Sequence, residues 1–261
     1  MTSKSIPNYE YLSWPEIKNI ASNKRSTIIW PFGAVEQHGP HLPLATDSIF
    51  IEEIINEVLE LIPEDFPLKK IPTQYIGFSP EHSGFQGTIT LSSGLLTSMI
   101  VEIGKQISDI GFKRLILLNA HGGQISLLNT AARELRSVTP NLNVFPCFLW
   151  SGVKGLDKLL TKSELENGLH ASLAETSLMM SLKPQLVGKE RPCEGIPKNT
   201  PKGWSLEGDA PTAWFTEDLS LSGVIGDSRG ANLELGNELK RLLVDHWYEL
   251  IIGLMSSDWP S

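Results

Sequence analysis

Apolar positions along the chain alternate between short β-rich runs and longer runs at helical spacing. Ser26–Phe32 is a block of β-branched and aromatic residues ending at Gly33, the pattern of a buried strand. Thr46–Leu61 predicts a helix. Thr46 or Asp47 can cap it, and Ile51, Ile54, Ile55, Val58 and Leu61 recur on one face. Lys69–Tyr75 predicts a short strand, and a helix follows from Ser92 or Ser93 to about Ile110, ended by Gly111. Lys113–Leu118 is the clearest buried strand, and Gln124–Val138 a helix stopped before Pro140. Leu142–Trp150 predicts another strand, Leu173–Leu182 and Asn232–Leu254 further helices. Strands separated by helices predict an α/β fold whose mostly parallel sheet carries helices on both faces.

Lys183 to Ser222 breaks this rhythm with Pro184, Pro192, Pro197, Pro201, Pro211 and two Trp, which predicts a long excursion or an oligomer contact. No second domain boundary stands out, so residues 1–261 are expected to form a single domain. At 41% apolar residues, with seven Trp and nine Phe, the chain has ample core material and is not a disordered protein. Lys plus Arg number 22 against 30 Asp plus Glu, a net charge of −8 with no basic cluster. That excludes a general nucleic-acid partner and an anionic membrane surface. Cys147 and Cys193 make no disulfide framework, which suits a reducing compartment. The first residues, MTSKSIPNYEYLSW, lack the apolar core of a secretory signal. Apolar stretches such as Leu250–Met255 fall far short of the ~20 residues of a membrane helix, so a soluble, cytoplasmic protein is expected.

Three segments carry candidate chemistry, each at a predicted strand end or helix start. In GAVEQHGPHLPLATD (33–47), Glu36 and His38 are two apart and point to one side of an extended backbone, while Asp47 returns at a helix start. A carboxylate, an imidazole and a second carboxylate at the end of a sheet strand suit a divalent metal. The plainer possibility is a capping Asp, a surface Glu and a hydrogen-bonded loop His. In NAHGGQ (119–124), His121 sits beside two glycines that permit close backbone approach. The same residues could form an ordinary strand-to-helix turn or a weak phosphate cradle. In HASLAETS (170–177), His170 precedes a helix and Glu175 lies on its first turns, where the helix dipole alone would favour it. Mixed nitrogen and oxygen ligands with one shared carboxylate are what a pair of divalent ions needs. Glu81, His82 and Phe85 share a polar loop that would ordinarily be solvated.

The segments GAVEQHGPHLPLATD (33–47), EHSGFQGTITLS (81–92), LLNAHGGQ (117–124), HASLAETS (170–177) and GVIGD (223–227) occur in order across most of the chain. Together they resemble the creatininase (creatinine amidohydrolase) family. The resemblance implies a three-layer α/β/α sandwich and a dinuclear site for Zn, Mn or Fe. It also implies hydrolysis of a small-molecule amide C–N bond and a homo-oligomer, commonly a hexamer. It aligns Glu36, His38, Asp47 and His121 with metal ligands, Asp47 as the bridging carboxylate, and His170 with the catalytic histidine. Creatinine-hydrolysing members carry a Glu two residues after the position of His121, where this chain has Gly123. The Gly-Gly form is similar to the branch that includes formamide-opening enzymes and a peptide-trimming maturase. There Glu175 is expected to supply the missing ligand.

On this reading His170 donates a proton to the departing nitrogen, and the backbone around Gly122 and Gly123 supports the oxyanion. The alternatives are a true creatinine amidohydrolase, a non-catalytic scaffold with the same fold, and a nucleotide-binding enzyme using Gly122–Gly123 as a phosphate turn.

Overall fold

The computed structural model describes residues 8–260. The chain enters through α1 (Trp14–Ala21), where Glu16 accepts the backbone N–H of its cap residue Ser13 at 2.8 Å. Next come β1 (Thr27–Phe32), α2 (Thr46–Leu61), β2 (Leu68–Lys70), α3 (Ser93–Ile110), β3 (Arg114–Asn119), α4 (Ile125–Val138) and β4 (Asn143–Phe148). Short helices α5 (Leu156–Leu159) and α6 (Lys162–Asn167) lead into α7 (Leu173–Leu182). Then β5 (Cys193–Glu194), α8 (Thr216–Leu219) and β6 (Gly226–Asp227) precede the long α9 (Leu233–Met255).

β1 to β4 form one parallel sheet in the order β2-β1-β3-β4. Strand alternation divides their side chains between two cores. Ile28, Trp30, Phe32, Leu115 and Leu117 pack with Ile17, Leu96, Ile100, Leu128 and Leu135 of α1, α3 and α4. Ile29, Leu68, Ile116 and Leu118 pack with Ile54, Leu178 and Leu239 of α2, α7 and α9. The result is a three-layer α/β/α sandwich. Among the described residues no helix is long and apolar enough to cross a membrane.

The strongly periodic elements fall where the sequence places them, α2 and α7 to the residue. Two local differences have plain causes. The run expected over Lys69–Tyr75 splits at Pro72, which has no N–H to donate: β2 ends at Lys70, and Gln74 makes only an isolated bridge to Phe32. α1 escapes the apolar pattern because it buries only Ile17 and Ala21.

The strand order positions the site. After β1 the chain passes to α2 on one face of the sheet, and after the neighbouring β3 it passes to α4 on the other. Adjacent strands whose connections part in this way leave a crevice beyond their carboxyl ends. The segments bearing Glu36 and His38, and His121, begin there.

The second helical layer is closed by α7 crossing α9 at Gly236. A Cβ at that position would stand 1.9 Å from the Ser177 carbonyl oxygen. Gly236→Ala must therefore force two backbones apart. A loss of roughly 1–3 kcal/mol is expected for such overpacking, read as a lower denaturation midpoint. An unchanged midpoint would mean that α7 and α9 adjust without cost.

Candidate functional site

The loops at the crevice are stitched together by side chains of the NAHGGQ segment. Asn119 donates to the His121 carbonyl at 2.6 Å and accepts the His121 N–H at 2.9 Å, which fixes the turn out of β3. Gln124 donates to Asn119 Oδ1 at 2.9 Å and to the Gly33 carbonyl at 3.0 Å, while its Oε1 accepts the Phe78 N–H at 3.1 Å. One buried amide thus joins the ends of β1 and β3 to the loop over 77–79. On the other side, His170 exchanges backbone hydrogen bonds with Ile225. The chain then turns into α7 through Ala171, a non-glycine residue at φ 52°. Such left-handed backbone costs on the order of 1–2 kcal/mol. Here the Ala171 N–H is taken by Glu175 Oε2 at 2.6 Å.

All six residues singled out in the sequence converge. Potential ligand atoms of Glu36, Asp47 and His121 lie within 4.8 Å of one another, as do those of His38, His170 and Glu175. His121 Nδ1 is 3.2 Å from Glu36 Oε1 and 3.3 Å from Asp47 Oδ2. His38 Nε2 is 3.6 Å from Asp47 Oδ1, and His170 Nδ1 is 3.8 Å from Glu36 Oε1. Glu36 is 0% exposed and Asp47 2%.

The far nitrogen of each of these three histidines is held by a main-chain oxygen. His38 Nδ1 donates to Glu36 O at 3.2 Å, His121 Nε2 to Phe78 O at 3.0 Å, and His170 Nε2 to Gln37 O at 2.6 Å. Carbonyl oxygens only accept, so in the neutral rings the opposite nitrogens turn lone pairs toward the carboxylates.

Both oxygens of Glu36, Asp47 Oδ2 and His38 Nε2 are buried without a hydrogen-bond partner. Orphaned carboxylate oxygens in a dry site are costly unless a cation meets them. Burial raises the Glu36 pKa; His121 opposes that shift and Asp47 reinforces it. Burial works against protonating His38, yet Asp47 and Glu36 hold it up at about 9. His121 is likewise raised, by Glu36 and Asp47 against its burial. Burial opposes ionisation of Asp47, and His38 and His121 overcome it, so that carboxyl is lowered. Burial pushes Glu175 up to about 7 and His170 well down. These donor types, orphaned and facing one another, fit divalent cations.

The structure adds residues that the sequence left on a solvated loop. His82 is 2% exposed, reaches Glu36 Oε1 with Nε2 at 3.4 Å, and stacks on His170 at a ring separation of 4.0 Å. Glu81 Oε1 lies 3.3 Å from His121 Nε2 and 1.7 Å from where a Cβ on Gly123 would stand. A carboxylate therefore fills the room that Gly123 leaves, and it comes from the loop before α3, not from α7, which carries Glu175. The 81–92 motif was the available signal for both. What it could not convey is the clamp from the irregular 183–222 stretch, where the Thr216 hydroxyl reaches Glu81 O at 3.0 Å and His82 Nδ1 at 2.7 Å. That stretch also walls a cavity of about 870 Å³ above the cluster, through Leu206, Pro211, Trp214 and Phe215.

The model of the creatinine amidohydrolase family, Creatininase, matches residues 10–251. The chain is 29% identical over 233 residues to a mycofactocin precursor peptide peptidase of Mycobacterium tuberculosis (strain CDC 1551 / Oshkosh), a match covering 84% of this chain and 82% of the relative. It is 28% identical over 205 residues to a creatinine amidohydrolase of Pseudomonas putida, covering 73% of this chain and 77% of that one. A solved structure described as "Creatininase Mn" superposes with a TM-score of 0.74 at 22% identity, over 95% of this chain and 98% of its own.

The electrostatics set a pH dependence for cation binding. Without metal, His38 keeps its second proton up to a pH of about 9. A cation taking Nε2 must displace that proton, so affinity is expected to rise with pH toward that value, with protons released on binding. Calorimetric titrations of Zn or Mn in buffers of different ionisation enthalpy read the release directly. An apparent enthalpy independent of the buffer would contradict it.

Proposed function

We propose that this chain, which belongs to the creatininase (creatinine amidohydrolase) family, hydrolyses a carbon–nitrogen amide bond with two divalent cations. The observation that carries the reading is the orphaned set of Glu36 Oε1 and Oε2, Asp47 Oδ2 and His38 Nε2, buried at the carboxyl ends of β1 and β3. Glu36, Asp47 and His121 would hold one cation. Asp47 and His38 would share in the second, and Glu175 would stand as the carboxylate beside His38 and His170. Bound divalent cations supply an acidified water and polarise a carbonyl.

The chain's own groups do the rest. His170 holds its Nε2 proton against Gln37 O and turns Nδ1 into the cavity. Burial keeps its pKa well below the ordinary value, so the resting ring is neutral. It therefore begins as a base, taking a proton from the attacking water at Nδ1, and returns it to the departing nitrogen. The sequence reading assigns His170 only the second of these steps, the donation to the departing nitrogen. Gly122 and Gly123 line the cavity, and the backbone N–H groups of that turn would support the developing oxyanion.

The class of amide is read from the cavity. At about 870 Å³, with Trp150, Leu165, Trp214 and Phe215 among its lining, it has far more room than a small cyclic amide fills. That favours a peptide-like amide as a second reading, beside the small-molecule amide or formamide expected from the sequence. The peptidase name of one relative points the same way.

Elemental analysis and turnover together test the proposal. Asp47→Asn is expected to lose both metals and all activity. His170→Asn should retain the metals while kcat falls by ~10²–10⁴-fold, the range for a general acid–base residue. The panel is short peptides, cyclic amides and formamides, each with Zn, Mn and Fe. Cleavage confined to peptides would select the second reading. Silence across the panel from fully metallated protein would reject amide hydrolysis.

A further inference from the structure

Four imidazoles face the candidate site, and three of them give their outer proton to a main-chain carbonyl: His38 to Glu36 O, His121 to Phe78 O and His170 to Gln37 O. His82 is held in the opposite sense, by Gln37. Gln37 Oε1 accepts the Gly39 backbone N–H at 2.9 Å. A backbone N–H only donates, so that end of the amide is its oxygen. The other end is the NH₂, which lies 2.9 Å from His82 Nδ1 and 3.1 Å from the Gly223 carbonyl. An amide NH₂ has no acceptor capacity, so His82 Nδ1 accepts; the Thr216 hydroxyl, whose single hydrogen can face either the Glu81 carbonyl at 3.0 Å or Nδ1 at 2.7 Å, then turns it to Nδ1. The ring cannot be an imidazolium, which would carry a proton there. It is the neutral tautomer with its hydrogen on Nε2.

That Nε2–H is on the Glu36 side of a ring that lines the cavity. Glu36 Oε1 lies 3.4 Å from the nitrogen, beyond the usual N–H···O range. The ring is otherwise immobile. It stacks on His170, meets Trp214 edge-on at 6.2 Å, and is gripped at Nδ1 by Gln37 and by the Thr216 hydroxyl. A fixed N–H donor with only a weak resting partner, beside the base of the reaction, is preorganised for an oxygen that arrives with the substrate.

We propose that His82 is a further catalytic residue of the reaction: its Nε2–H is the side-chain donor that meets the substrate's carbonyl oxygen as charge develops on it, and Gln37 is the positioning residue that fixes its tautomer. No proton is transferred by His82; the bond is a hydrogen bond that shortens as the oxygen becomes anionic. The assignment rests on the amide-hydrolysis reading for its substrate, but the tautomer does not.

The test has two arms. In metal-loaded protein with ¹⁵N-labelled histidine, side-chain nitrogen shifts are expected to show His82 with a pyridine-type Nδ1 and a pyrrole-type Nε2. Gln37→Glu puts an acceptor against Nδ1 and should exchange the two signals, with the ring still in place. The reverse assignment in the unsubstituted protein would overturn the proposal, whether or not an amide substrate has been found. In the second arm, His82→Phe should lower kcat by ~10²–10³-fold, as for loss of one oxyanion donor, with metal content unchanged and KM little altered. His82→Gln, which can return an N–H, should recover part of the loss, and Gln37→Glu should lower kcat in step with the exchanged tautomer. Full turnover by His82→Phe with both metals present would overturn the donor role. Absence of turnover in every form would count against the amide reading, and the nitrogen shifts would still decide the tautomer.

Discussion

The structure depends on carboxylate oxygens kept dry beside imidazoles. Glu36 is wholly buried, and neither of its oxygens has a hydrogen-bond partner. Removing a charged carboxylate from water costs on the order of several kcal/mol even after the protein relaxes. The fold could have met that cost with an arginine or lysine, but among the described residues no Lys or Arg lines the cavity. Protons on His38 and His121 meet it without metal, and divalent cations would meet it more fully. Local features that look incidental serve this one arrangement. The left-handed Ala171 turns α7 so that Glu175 faces His38, and the Asn119–Gln124 amide stitch holds the ends of β1 and β3 against each other.

Topology makes such a dry pocket possible. Because β1 and β3 are neighbours whose following helices lie on opposite faces, the crevice between their ends is left for later segments to close. The loop after β4, the short helices α5 and α6 and the 183–222 stretch do so, with Trp150, Leu156, Leu165, Leu206 and Trp214. Loops allow one sheet to hold the same carboxylates and imidazoles while the wall above them changes. This fits a family whose named members include both a peptidase and a creatinine amidohydrolase.

Much of this was legible in the chain because the strongest signals are local. The helical period over Thr46–Leu61 and the capping serine of the helix to Ile110 are settled by neighbours in sequence, and the elements follow them closely. The same holds for Glu36 and His38, whose two-residue spacing puts them on one side of the backbone, and for His121 at the end of the most apolar strand. Illegible features depend on distant partners. Nothing near His82 in sequence announces that it will be buried, since its partners are Gln37, Thr216, His170 and Trp214. The room at Gly123 could be read as a missing ligand, but not that Glu81 would occupy it from the side. The first helix carried its signal in Ser13 and Glu16, a reciprocal cap that an apolar count overlooks.

Gln37 shows why position in a motif and role in a site are separate questions. It lies between Glu36 and His38, so alternation turns its side chain away from theirs, and on spacing alone it is the residue to ignore. Its carbonyl nevertheless holds His170 by Nε2, its amide holds His82 by Nδ1, and its N–H is taken by Thr88 Oγ1 at 3.0 Å. Two rings of the site, one presenting a lone pair and the other an N–H, are thus set by opposite ends of the same residue. A carbonyl can only accept and an amide nitrogen can only donate, so the two stacked histidines are given different protonation patterns despite sharing one environment. Burial alone would have treated them alike; the hydrogen-bonding chemistry of one intervening residue divides a ring that presents a lone pair from one that presents an N–H.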